Sequence, residues 1–247
     1  MNKYFIIFLL IATCNINAQN NFNGKQLQEG YNTKNKKKFI DNFPNDFEDF
    51  KLVFGWNDKL DKPNALYSEA NDFIRYFFEL SSNNDNCRKT IIKIACQAKW
   101  EADAVNYFHM NLVLLVENNK NFDNMLQTLD DKDLNDFWHF YFDIENLIYS
   151  KKLYTILNDF MKEKSMSVFN ILKKERSNGN KHRKLYTYQI FDKDGYCNLR
   201  KYGNAKSDII GKIENNQEIN VLDSSEDWWF IQTKEGIAGF VHKSRIK

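Results

Sequence analysis

GYCNLRKYGNAKSDIIGKIENNQEINVLDSSEDWWFIQTKEGIAGFVHKSRI, residues 195–246, decides the fold of the C-terminal quarter of this chain. Its apolar residues come in short alternating runs, each ending in a cluster of Asn, Asp, Ser, Lys or Gly. Alternation bounded by such clusters marks half-buried strands. Ile219 and Val221 turn inward from one strand. Trp228 and Trp229 fall on opposite faces of another, because side chains alternate along a strand. Upstream, Leu185, Tyr186, Tyr188 and Ile190 read as a first strand, and Asp192-Lys193-Asp194-Gly195 as the turn after it. Strands this short, with turns this regular, predict a small closed β-barrel over residues 185–247. A barrel of that size has no room for both tryptophans in its core. One of them is expected near the surface, where a flat ring with an N–H donor suits a peptide groove.

The order of the pieces carries more than any one of them. Asn198-Leu199-Arg200 is followed by Ile209-Ile210-Gly211-Lys212-Ile213, whose glycine permits a bulge or close approach. Trp228, Trp229 and Ile231 come after a polar turn, and Gly236, Gly239, Phe240, Val241 and His242 close the stretch. In this sequence and spacing the segment resembles a bacterial SH3 (SH3b) domain, over about a quarter of the chain. It departs from the family at Lys201-Tyr202-Gly203-Asn204-Ala205, where many relatives carry a Ser-Gly-Pro loop. The aromatic-acid loop with which eukaryotic SH3 domains grip Pro-rich peptides is absent. The resemblance implies a binding module of the cell envelope, often directed at peptide stems or bridges of peptidoglycan, although some relatives only pack against a neighbouring domain. The ligand groove it implies is lined by Tyr196, Tyr202, Trp228 and Trp229, with Arg200, Glu226 or Asp227 pairing to peptide termini. The opposing reading makes both tryptophans structural, one of them covered by the rest of the chain.

Working toward the N-terminus, Lys173 to Lys184 is charged and holds Gly179; residues 176–184 read as a linker. Residues 39–175 read as an all-α domain. Phe43-Pro44-Asn45-Asp46-Phe47 is a helix start, with Asp46 and Glu48 suited to a positive N-terminus. Gly55-Trp56-Asn57-Asp58 and Lys62-Pro63-Asn64 mark a loop. Leu66, Ala70, Phe73, Ile74 and Phe77 share one face, then Ile91, Ile94, Ala95 and Ala98, then Val105, Phe108, Leu112, Leu115 and Val116. Asp130 reads as an N-cap for a helix with Leu134, Phe137, Trp138 and Tyr141 on a wide aromatic face. Leu153, Ile156, Leu157 and Phe160 read as the next helix, and Ser165 as the cap of the last, which uses Val168, Phe169 and Leu172. The fold expected is an all-α domain, a bundle or short helix-pair array, followed by an all-β SH3-like barrel. Residues 19–38 read as a polar, flexible segment.

Residues 1–18 read as a cleaved leader. Lys3 is its charged start, Tyr4–Ala12 its apolar run, and Ala18 its cleavage edge. That run is about half of what spans a bilayer, so no stable transmembrane segment is expected in the mature chain. The alternative is a lipoprotein signal ending at Cys14, weakened by Thr13 before the cysteine. A leader directs the chain to the periplasm or outside the cell. The formal net charge is +2, from 35 basic and 33 acidic residues, and Lys34-Asn35-Lys36-Lys37-Lys38 is the nearest thing to a basic stripe. This is no nucleic-acid footprint.

Catalysis finds little support. Cys87, Cys96 and Cys197 remain after the leader, an odd number that argues against a disulfide framework. Cys87 stands at a plausible helix start, but its neighbours do not match the Asp-Cys-Ser-Gly nucleophile motif of papain-like wall peptidases. His109 and His139, with Glu101, Asp103, Asp143 and Glu145 near them in sequence, lack metal-ligand spacing. No cofactor, metal or catalytic residue is assigned. The reading is a non-catalytic secreted or periplasmic binding protein. Its SH3b module would recognise a peptidoglycan peptide or an envelope protein, and its aromatic helical face would hold a second partner. The alternatives are an envelope immunity or inhibitor protein acting through the helical domain and, behind it, a cell-wall hydrolase.

Overall fold

The computed structural model describes residues 24–144, 147–179 and 188–247. The expected leader, Cys14, Glu145 and residues 180–184 of the expected linker lie outside the described residues. Ten α-helices come first: α1 Gly24–Asn32, α2 Lys36–Asp41, α3 Phe47–Phe54, α4 Ala70–Ser81, α5 Asp85–Gln97, α6 Asp103–Asn118, α7 Phe122–Leu126, α8 Asp131–Phe142, α9 Lys151–Ile156 and α10 Asp159–Gly179. A two-residue hairpin, β1 Trp56–Asn57 with β2 Lys62–Pro63, follows α3. Six more strands succeed α10: β3 Tyr188–Gln189, β4 Tyr196–Arg200, β5 Ile209–Glu214, β6 Glu218–Asp223, β7 Trp228–Gln232 and β8 Ala238–His242. Among the described residues no helix is long and apolar enough to cross a membrane.

The helices begin where short polar side chains satisfy their first amides. Asn35, Asp46, Asn84, Asp130 and Ser150 each accept a hydrogen bond from a backbone N–H of the first turn. Asp130 does so from Asp133 at 2.8 Å, as its spacing predicts. The core they enclose is dominated by phenylalanine. Phe43 stacks on Phe77 with ring centroids 3.7 Å apart, and Phe108 takes the edges of Phe50 and Phe78. Each such ring contributes about 1.5–3 kcal/mol by leaving water.

Several sequence expectations change. The 19–38 stretch is not a flexible segment over its described part, because α1 and α2 form there. Leu27 is fully buried, and the Tyr31 ring lies 4.8 Å from Phe73 and 5.4 Å from Tyr76. Two apolar anchors suffice to fix a helix whose other side chains stay in water. The loop expected at 55–64 contains the β1–β2 hairpin, tied to α3 by the Asn64 amide, which donates to the Lys51 carbonyl at 2.9 Å. Phe160 does not continue α9. It lies on α10 and is exposed, and Asn158 caps that helix by accepting from the Met161 N–H at 3.0 Å. Ser165 is therefore no cap. It sits inside α10, buried, donating to the Met161 carbonyl and paired with the Tyr149 hydroxyl at 2.7 Å. The helix also runs to Gly179, so the first residues of the expected linker are helical.

The six-stranded sheet is antiparallel, in the order β3-β6-β7-β8-β4-β5. It is open, and the closed barrel expected from sequence is corrected. The backbone of Ile190, just past β3, is taken by the turn after β5 rather than by β5 itself. Its N–H donates to the Gln217 carbonyl at 3.2 Å, and its own carbonyl accepts from Asn216 at 2.8 Å. Register shifts at Leu199/Arg200 and Val221/Asp223 add twist. Ile190, Cys197, Leu199, Ile213, Ile219, Ile231 and Val241 still meet in one interior cluster. Gly239 is required there, since a Cβ would lie 2.8 Å from the Arg200 carbonyl.

Candidate functional site

The sheet has two faces with different fates. Inward residues make its own core. Outward residues of β7 and β8, namely Phe230, Gln232, Ala238 and Phe240, are buried against the helices. Phe230 and Phe240 lie 5.1 Å apart, cross-strand neighbours in register. Tyr154 of α9 covers both, at 4.8 and 6.3 Å, and Tyr149 lies 6.1 Å from Phe230. The Tyr154 hydroxyl donates to the Ala238 carbonyl at 2.9 Å. The Gln232 amide donates to Asn170 of α10 at 3.0 Å. At the margin Lys151 pairs with Glu226, and Lys201 stands 3.8 Å from Asp159. One apolar core thus runs from the helices into the sheet.

This arrangement places the six residues of the sequence-derived groove in different surroundings. Trp229 points to the sheet interior, with Tyr188 edge-on at 5.4 Å. Trp228 points the other way and is half-buried at the rim of the shared core, with His242 edge-on at 5.3 Å. The tryptophans do occupy opposite faces, and each is engaged. Arg200 and Tyr202 lead into a loop whose Gly203 packs against Trp228. The Arg200 guanidinium donates to the Ser207 carbonyl at 2.7 Å, and the Tyr202 N–H to the Ser207 hydroxyl at 2.8 Å. A Cβ on the intervening Gly203 would sit 3.0 Å from that of Trp228, so the loop reaches the indole only because the residue is glycine. Tyr202 remains 40% exposed. Asp227 is paired with Lys243 at 2.8 Å, which holds its carboxyl below the usual range. Tyr196 is at the far end of β4, about 13 Å along the strand from Arg200, with the Lys212 ammonium 4.3 Å over its ring. By register Arg200 is level with Phe240, while Trp228 and Asp227 are level with His242 and Lys243, toward the Tyr196 end of β4; Tyr202 comes near Trp228 only through the loop that carries Gly203, and Trp229 faces the interior.

Sequence reasoning missed Phe230, Gln232 and Phe240, the residues that dock the two halves. A signal was there. Phe230 and Phe240 alternate with Ile231 and Val241, so an outward aromatic stood on each of two neighbouring strands, and such a pair calls for a cover.

The groups weighed for catalysis lie in unreactive settings. Cys87 is fully buried, and burial pushes its thiol up to about 11, Cys197 to about 11 and Cys96 to about 12. His109 is buried, with Nε2 hydrogen-bonded to the Tyr141 carbonyl at 2.8 Å, and burial pushes its pKa down. His139 is exposed on α8. Among the described residues no three His, Cys, Asp or Glu side chains converge as metal ligands. A thiol near 11 is about one part in a thousand thiolate at pH 8, and the thiolate is the nucleophile. Iodoacetamide at pH 8 is therefore expected to label Cys87, Cys96 and Cys197 about 100-fold more slowly in the native protein than after denaturation. Rapid native labelling of Cys87, read by mass spectrometry, would reopen the nucleophile question.

Residues 194–247 match the profile of the family described as bacterial SH3 domain. The C-terminal sheet is a bacterial SH3 domain, a binding module, preceded by a helical region to which it is packed. Comparison with curated proteins and with solved structures gives no match.

Proposed function

We infer that this protein is a non-catalytic binding protein of the cell envelope, secreted or periplasmic. Its bacterial SH3 domain takes a cell-wall peptide or an envelope protein at the rim around Tyr202 and Trp228, with Arg200 and Asp227 to either side. The observation that carries this reading is Tyr202. It is an exposed aromatic ring on a loop that Ser207 braces and whose Gly203 packs against the half-buried Trp228. A ring with a hydroxyl offers a peptide both contact area and a hydrogen bond, and Arg200 and Asp227 supply charges of both signs for peptide termini. The helical domain holds the aromatic face through Tyr154 and Asn170 and the margin of this rim through Lys151–Glu226 and Lys201–Asp159, and its outer surface is available to a second partner.

Co-sedimentation of the full chain with purified peptidoglycan tests the proposal. Tyr202→Ala is expected to reduce binding about tenfold while leaving the melting temperature unchanged, because the side chain is substantially exposed. Trp228→Ala is a poorer probe, since it also opens the shared core. If the intact protein stays in the supernatant, the wall-peptide reading fails, and an envelope protein is the remaining partner to seek.

A further inference from the structure

We propose that the groove between α5, α7 and the first turn of α8 binds a short apolar peptide with free ends, its carboxylate at Lys89 and its ammonium at Asp133. The site belongs to the helical domain and needs neither wall binding nor the SH3 rim. The groove holds a cavity of about 390 Å³, within the range of small-molecule sites. Ile92 and Cys96 of α5 line it on one side, Met125 and Leu129 on the other. Ile92 is buried and the other three are half-buried, so the lining is already shielded from much of the solvent. Such a lining favours an aliphatic guest, and methionine adapts to its shape.

The charged groups of the groove sort by element. Asp85, Lys89 and Lys93 come from α5, and Asp133 from α8. Asp85 is paired with Arg88, and the Lys93 ammonium donates to the Asn45 side chain at 3.1 Å. On α8, Asp131 is paired with Lys164 and Asp136 with Lys132, and Asp130 caps the helix. The Lys89 ammonium and the Asp133 carboxylate have no ion pair or hydrogen bond among the described residues. The charge of Asp133 is felt inside the groove: burial first, then Asp133 and Asp136, push the Cys96 thiol up to about 12. An apolar groove thus carries one unanswered cation on α5 and one unanswered anion on α8.

That pattern selects among guests. An apolar anion would answer Lys89 and meet Asp133 as a like charge. An apolar amine would answer Asp133 and meet Lys89 the same way. A sugar would leave the aliphatic lining without apolar contact. A peptide of two or three aliphatic residues holds apolar surface between two opposite charges, which is the arrangement the groove presents. Asn124, in the same lining and with no side-chain partner among the described residues, offers a donor and an acceptor to the peptide bond.

The test uses the full chain with leucyl-leucine and trileucine as probes, followed by calorimetry and by the methyl signals of Ile92 and Met125. Saturable binding is expected, with both signals shifting. Lys89→Gln should weaken the free peptide about fivefold, the upper end for an exposed ion pair, and leave its C-terminal amide unaffected. Asp133→Asn should weaken the free peptide to a similar degree and leave its N-acetyl form unaffected. Neither change removes an apolar contact or an existing ion pair, so the melting temperature should move little. Tyr202→Ala should bind as the parent does, which separates this site from the SH3 rim. The proposal is overturned if neither peptide binds the parent, if the two charge variants bind the free peptide as the parent does, or if capping both ends of the peptide leaves its affinity for the parent unchanged.

Discussion

Replacing Phe230 by alanine is expected to destabilise the whole chain by about 3–5 kcal/mol, the range for a buried phenylalanine that leaves a cavity. That is a large share of the stability of an ordinary domain. The loss should appear in the helices as well as in the sheet. Phe230 is fully buried and touches Tyr149, Tyr154 and Phe240, so its removal opens the space between α9, α10 and the β7–β8 ladder. Calorimetry should record one transition for the parent and one, at lower temperature, for the variant. Ile210→Ala, at an exposed position on β5, should change stability by no more than about 0.5 kcal/mol. Two separate transitions in the parent would mean that the halves fold independently and that the shared core carries little energy.

How far the fold was legible follows from the same residues. The strands of the sheet announce themselves because their inward positions, Cys197, Leu199, Ile213, Ile219, Ile231 and Val241, recur with period two between polar turns. Helices α4, α5, α6 and α8 were equally plain, each with a long apolar face. What failed were decisions that depend on distant partners. Leu27 and Tyr31 anchor α1, but nothing local says that Phe73 and Tyr76 wait for them. Ser165 has the chemistry of a cap, yet Asn158 captured that role, and the hydroxyl of Ser165 was satisfied inside the helix. The closed barrel failed because hydrogen-bond closure depends on which backbone groups a turn takes, and the Asn215-Asn216-Gln217 turn took those of Ile190.

The groove was legible only in part. Alternation alone separated Trp228 from Trp229. It could not say that Gly203 brings the Lys201–Asp208 loop back onto Trp228, because that depends on how the loop folds. Nor could it say how much of the aromatic face is already occupied. Tyr149 and Tyr154 come from a stretch whose sequence reads as ordinary helix and loop, and they fill the space a ligand of Phe230 and Phe240 would need. In this chain the SH3 domain spends most of its aromatic surface on its own helices. Tyr202 stays exposed at its edge, and the rim proposed above rests on it.

That internal docking leads to the second large effect. Expressed apart, residues 24–179 and 185–247 are expected to be poorly soluble, and expressed together they should co-purify as a folded pair. Cutting the chain between them exposes Phe230, Phe240 and Ala238 on one piece and Tyr149, Tyr154 and Met166 on the other. Those apolar groups come with the directional bonds of Tyr154 to Ala238 and of Gln232 to Asn170. A small sheet that has lost the cover of one face has too little core to stand alone, whereas the pair recovers both the burial and the hydrogen bonds. The association should survive high salt, because the ion pairs Lys151–Glu226 and Lys201–Asp159 lie at the margin and such exposed pairs contribute little. Adding Phe230→Ala to the short piece should abolish co-purification. A 185–247 piece that is soluble and monomeric, with a melting temperature near that of the intact chain, would show the SH3 domain to be self-sufficient. Its aromatic face would then be a docking surface that α9 can vacate.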